Sequence, residues 1–136
     1  MNVNETIRFC KGLDFYALQD FAGKNFNKVY NHVKKTKTKP NDILIPTIFT
    51  CIATDGKLSE REWNFIASFI GGYSYDEAFS VAGEFYCDEA KEIVKKLYCF
   101  FPQDVKEAFL SLCIAVLAVD NRLDGAEIDF LNYIIN

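Results

Sequence analysis

The chain writes one eight-residue phrase twice. Asp55-Gly56-Lys57-Leu58-Ser59-Glu60-Arg61-Glu62 is matched, 65 positions on, by Asp120-Asn121-Arg122-Leu123-Asp124-Gly125-Ala126-Glu127. The likeness extends over 53–66 and 118–131. Read residue by residue, the phrase spells the link between two helices. Gly56 and Asn121 are the residue types that best tolerate the left-handed conformation closing a helix. Ser59 and Asp124 are good N-caps, because a short side-chain oxygen can accept an otherwise orphaned N–H of the first turn. Glu62 and Glu127, three residues later, complete a capping box in the Ser59 copy and a close variant in the Asp124 copy. Leu58 with Trp63, and Leu123 with Ile128, occupy the positions of a hydrophobic staple. Two such links require two helical hairpins. The expected architecture is therefore all-α, with a pseudo-symmetric four-helix core made of those hairpins.

The rest of the chain reads as helix too. Phe15, Leu18, Ala22, Phe26, Val29 and Val33 recur every three or four residues, marking one face of a helix that should end in the lysine run before Pro40. A second helix starts near Pro40 and Asn41, with Pro46 in its first turns. A third runs from Ser59 to the Gly71-Gly72 pair, and a fourth opens on a Ser74/Glu77 capping box. Asp88 caps a fifth. Pro102 opens a sixth that carries the apolar Ala108–Val119 stretch, and Asp124 opens a seventh. Residues 4–11 carry the pattern of a short helix outside this count of about seven. No stretch shows the strict alternation or Asn-Gly turn of a hairpin of strands. At 136 residues, with half of them apolar, one domain is expected over 1–136.

Charge divides that domain unequally. Residues 1–40 hold 8 Lys and Arg against 3 Asp and Glu, while 41–136 hold 7 against 16. The run Lys34–Pro40 reads as a solvated helix end, since Lys favours helix C-termini; an arm for anionic partners is the other reading. Without a nucleic-acid motif or stacking aromatics interleaved with the bases, nucleic acid is not expected as a partner. Five cysteines (Cys10, Cys51, Cys87, Cys99, Cys113) stand at wide spacings with no CxxC, and the sole histidine, His32, reads as a surface residue beside the lysine run. That argues against a zinc site and a disulfide framework, and for reduced, mostly buried thiols in the cytoplasm. The longest apolar stretch, twelve residues at Ala108–Val119, is too short to span a bilayer. The N-terminus lacks the basic-then-apolar pattern of a secretory signal.

Asp55 and Asp120 are not explained by helix building. Each ends an apolar helix, where the exposed carbonyls disfavour a carboxylate by roughly 0.3–1 kcal/mol. Three compensations are open: an Asx-type turn, an ion pair with Lys57 or Arg122, or a bound cation held with Glu62 or Glu127. An EF-hand is ruled out. In the second copy Arg122 stands at loop position 3 and Leu131 at position 12, where a bidentate Glu is needed; in the first, Lys57 and Glu60 break positions 3 and 6.

The paired stretches Ala53–Ile66 and Ala118–Leu131 resemble the A-D-G-x-[IL]-x-x-x-E signature of the TerB-like family, which includes tellurite-resistance proteins and the N-terminal domain of a membrane-anchored co-chaperone. The resemblance covers most of residues 40–136; Asn121 departs from it in place of the motif glycine. It implies an all-helical fold with a four-helix core of two hairpins. It also implies an acidic patch suggested to bind metal, here Asp55, Glu62, Asp120 and Glu127, and a place in bacterial stress response. Oxygen ligands of that kind suit Ca²⁺, Mg²⁺ or Mn²⁺. There is no Gly-rich phosphate loop, nucleophile elbow or HExxH. The expectation is a non-catalytic module with no certain cofactor that meets a protein partner, a second copy of the chain among the options. The alternative is a divalent-cation binding protein. A carboxylate-pair enzyme using Glu62 and Glu127 is the least favoured reading.

Overall fold

The structure, a computed structural model, describes residues 2–35, 41–52, 58–70, 74–84, 88–119 and 125–135. Eight helices form among the described residues and no strand does: α1 (Val3–Lys11), α2 (Phe15–Lys34), α3 (Asn41–Ile52), α4 (Glu60–Ile66), α5 (Tyr75–Glu84), α6 (Asp88–Phe100), α7 (Gln103–Val119) and α8 (Ala126–Ile135). The short helix expected over residues 4–11, beyond the count of about seven, is α1.

Local chemistry accounts for several of the starts. Asn2 caps α1, its Oδ1 accepting the Glu5 N–H at 2.8 Å, and Asp14 caps α2 by accepting the Ala17 N–H at 2.8 Å. Ser74 and Glu77 form the expected box at α5 (3.2 and 3.4 Å). Pro102 opens α7 as expected, its carbonyl accepting the Lys106 N–H at 2.9 Å. Asp88 is the first residue of α6 rather than the residue before it. Pro46 is the sixth residue of α3, past the first turn, so the helix forgoes one interior hydrogen bond there.

The core is built around α7, whose residues Ser111 to Leu117 are all buried. A helix apolar on every side must be surrounded, and α1, α2, α3 and α4 all pack on it. On α2 the predicted face is buried at Leu18, Ala22, Phe26, Val29 and Val33. Phe15 departs from it: it is 38% exposed, meeting the buried Phe65 ring edge-on at 5.7 Å. Around α3 gather α5, α6, α7 and α8. Thus α4, which follows the first copy of the phrase, lies on α7, which precedes the second, and α8, which follows the second, lies on α3, which precedes the first.

Helix α4 stops at Ile66, ahead of the glycine pair. Its end tightens: Phe69 N–H reaches the Ile66 carbonyl at 3.0 Å and Ile70 N–H reaches the same oxygen at 2.9 Å. That turn brings Ile70 into the core at 1% exposure. Three of the cysteines, Cys10, Cys51 and Cys113, are buried and Cys99 is exposed; Cys87 lies outside the described residues.

Candidate functional site

The first copy of the phrase is where the site can be built from atoms. Leu58 is buried, and Ser59 follows in extended conformation (ψ 154°). Its Oγ accepts the Glu62 N–H at 3.0 Å, and Glu62 Oε1 accepts the Ser59 N–H at 3.1 Å. The Ser59 carbonyl accepts from Trp63, giving α4 its first helical bond at 3.0 Å. Leu58 and Trp63, the staple positions, are 1% and 5% exposed. The capping box predicted from the phrase is present in full.

Its surroundings are unusual for a capping box. Glu62 is completely buried, whereas the Ser74/Glu77 box lies in solvent. A carboxylate withdrawn from water is costly unless it is hydrogen-bonded or paired, and the Ser59 N–H supplies one such bond. A second tie to this corner was not legible in the sequence: the Tyr75 hydroxyl, from α5, donates to the Leu58 carbonyl at 2.9 Å. A seventeen-residue separation with no motif gives that contact no sequence signal.

The second copy is built differently. Helix α8 begins at Ala126, and the Asp129 N–H donates to the Gly125 carbonyl at 3.1 Å. Gly125 has φ +77°, which glycine adopts without steric penalty. The helix therefore opens one residue later than Ser59 opens α4. Glu127 falls on the second helical residue instead of the third, and Asp124, the expected N-cap, lies outside the described residues. The difference follows from the sequence, because Gly125 stands where the first copy has Glu60.

Of the four candidate ligands, Glu62 is placed with its side chain. Asp55 and Asp120 lie outside the described residues, as does the side chain of Glu127. Among the described residues no group of three or more His, Cys, Asp or Glu comes together. The described part of the cation set is thus one carboxylate with one oxygen engaged as a cap.

Other functional groups sit apart from the phrase. His32, expected on the surface, is half-buried on the seam between α2 and α7, edge-on to Phe101 at 5.7 Å. Burial pushes the Cys51 thiol well up from its ordinary range, and the neighbouring Cys113 thiol adds to the shift; both behave as the core residues they were expected to be. Lys95 and Tyr133 join α6 to α8: Lys95 Nζ donates to the Tyr133 carbonyl at 3.1 Å and stands 4.0 Å over its ring, while the Tyr133 hydroxyl donates to Glu92 Oε1. A surface hollow of about 750 Å³ opens between the start of α1 and helices α6, α7 and α8, lined by Glu5, Tyr98, Gln103, Glu107 and Asn132 among others. Among the described residues no helix is long and apolar enough to cross a membrane.

Comparison with protein-family models, with curated proteins and with solved structures finds no match to this chain.

Proposed function

We propose that this chain is a TerB-like helical module, related in role to the tellurite-resistance and stress-response members of that family, which works by contact with a protein partner and not by catalysis. The observation that carries the reading is the outward face of α6. Ile93 and Phe100, seven residues apart and so on one stripe of the helix, are 66% and 86% exposed. Large apolar side chains held in water on one stripe favour a partner that covers them. The packing of α4 on α7 and of α8 on α3 supports a core in which the four helices flanking the two copies of the phrase meet.

The test is photo-crosslinking of the full chain in cells, with the reactive group at position 93 or 96. One defined partner, a second copy of the chain included, should be captured, and Phe100→Ser should abolish that capture without lowering stability. Capture unaffected by Phe100→Ser would reject the surface. Turnover of a small substrate by the purified protein would reject the non-catalytic reading.

A divalent-cation role is the second reading, favoured by the complete burial of the Glu62 carboxylate inside the repeated phrase. It predicts that Ca²⁺, Mg²⁺ or Mn²⁺ raises the unfolding midpoint of chelator-treated protein, by roughly 2.7 kcal/mol at a hundred times the dissociation constant. The effect should vanish in Asp55→Asn/Asp120→Asn. No shift with any of the three ions would reject it.

A further inference from the structure

The exposed side of α2 carries a charge pattern that neither the core nor the repeated phrase explains. From residue 21 to residue 35 the chain has Lys24, Lys28, Lys34 and Lys35 and no Asp or Glu. All four lysines are exposed. At helical spacing they fall on the side opposite Leu18, Ala22, Phe26, Val29 and Val33, the buried stripe. Asn27 and Asn31, also exposed, lie between them. From Lys24 to Lys35 the stripe is about 17 Å long at the rise of an α-helix. Its charge of +4 stands against −8 for the remainder of a chain whose net charge is −4.

Few acids reach this face. Asp20 pairs with Lys24 at 3.0 Å, Asp104 of α7 pairs with Lys28 at 3.7 Å, and Glu107 shares a surface hollow with Lys28. Both pairs are well exposed, with side chains 51% to 76% accessible. Exposed ion pairs hold weakly and are readily exchanged. Tyr16, 79% exposed, lies at the N-terminal end of the same side of α2, and an amphipathic ring of that kind sits well at a membrane–water boundary.

We propose that the outward face of α2 docks on an anionic lipid surface. The charge distribution selects this occupant over the other large polyanion, nucleic acid. A flat bilayer meets one side of the molecule and leaves the acidic body on the other side of the helix. A helix diameter of about 10 Å already exceeds the screening length at physiological salt. A nucleic acid follows the protein surface for longer and favours domains that are basic as a whole, whereas this chain has a pI near 5.0. The stripe is also built of lysine alone. Arginine would supply the bidentate fork that recognises individual phosphates, while lysines act as point charges suited to a diffuse sheet of headgroups. The inference stands apart from the protein-partner reading, which rests on α6.

The test is co-sedimentation of the full chain with vesicles of phosphatidylcholine alone, and of phosphatidylcholine and phosphatidylglycerol in equal parts, at about 0.05 and about 0.3 M salt. The protein should sediment with the mixed vesicles and not the neutral ones, and less at the higher salt. Each lysine near such a surface contributes about fivefold in partition, so K24Q/K34Q/K35Q should lower it roughly a hundredfold. The matched triple K11Q/R61Q/K96Q, exposed positions on α1, α4 and α6, should leave it unchanged, and K24R/K34R/K35R should retain it. Helical circular dichroism identifies any variant that has lost its fold. Three results would overturn the proposal: no preference for the anionic vesicles, an equal loss in the matched triple, or tighter binding to a random-sequence DNA duplex than to the vesicles at the same salt.

Discussion

Glu62→Ala is the most informative single perturbation of the repeated phrase, and its cost can be worked from the structure. The substitution removes the acceptor of the Ser59 N–H and leaves a half-buried donor without that partner, a penalty of about 1 kcal/mol. It also empties space at a residue that is 0% exposed, which adds a cavity term of the same order. A total of roughly 2 kcal/mol is expected. Ser59→Ala removes the other half of the box, and the loss of an N-cap acceptor costs about 1 kcal/mol. Because the two bonds close one box, the double variant should cost less than the sum of the singles, by roughly 0.5 kcal/mol or more. Glu77→Ala and Ser74→Ala, in the exposed box of α5, provide the internal control; water replaces the lost partners there, and about 0.5 kcal/mol is expected for each. Urea unfolding followed by helical circular dichroism measures all five variants, with the slope checked for constancy. If Glu62→Ala costs no more than Glu77→Ala, burial of the carboxylate is not what fixes the start of α4, and the structural account of the phrase fails.

Two glycine-to-alanine substitutions should move stability in opposite directions. Gly23 lies inside α2 with nothing within 4 Å of where a Cβ would stand, so Gly23→Ala should raise stability by roughly 0.5–1 kcal/mol, read as a higher unfolding midpoint. Gly125→Ala also meets open space, but at φ +77° the backbone itself is strained, and the midpoint should fall by the equivalent of about 1–2 kcal/mol. Alkaline stability should follow the buried thiols. Burial pushes Cys10 up to about 11 from an ordinary value of 9.0, so the folded chain keeps a proton that the unfolded chain loses first. The resulting stabilisation is full below pH 9 and is lost as pH rises towards 11, on the order of 2 kcal/mol for this thiol. Urea midpoints from pH 8 upward should therefore decline, and Cys10→Ala should flatten the decline.

The parts of the fold that were legible in the sequence are those decided within one turn of the chain. The Ser59/Glu62 and Ser74/Glu77 boxes could be read because both partners stand three residues apart and satisfy each other. The buried stripe of α2 could be read because five apolar residues keep helical spacing. What failed was decided across the fold. Phe15 continues the stripe by spacing, yet as the first residue of α2 it stays part-exposed, meeting only the edge of the core at Phe65. His32 carries no apolar signal, yet Phe101, in the link between α6 and α7, packs edge-on against it. The end of α4 was expected at the first glycines, but the pull of Ile70 into the core ends it earlier. In the second copy the eight-residue pattern concealed a one-residue shift, because Gly125 can take a conformation closed to the Glu60 it replaces. Of the candidate site, sequence reading anticipated the capping role of Glu62 but not its burial, which depends on helices distant in the chain.

The central place of α7 has a consequence for how the chain is made. The helix that α1, α2, α3 and α4 all pack against is synthesised after all four of them. At about 5–20 residues per second, the hundred or so residues from the start of α1 to the start of α7 take roughly 5–20 s to emerge. During that interval the apolar stripes of the earlier helices have no hub to close on. The nascent chain must therefore wait as a row of amphipathic segments, and its demand for chaperone protection should fall abruptly once residue 119 clears the ribosome.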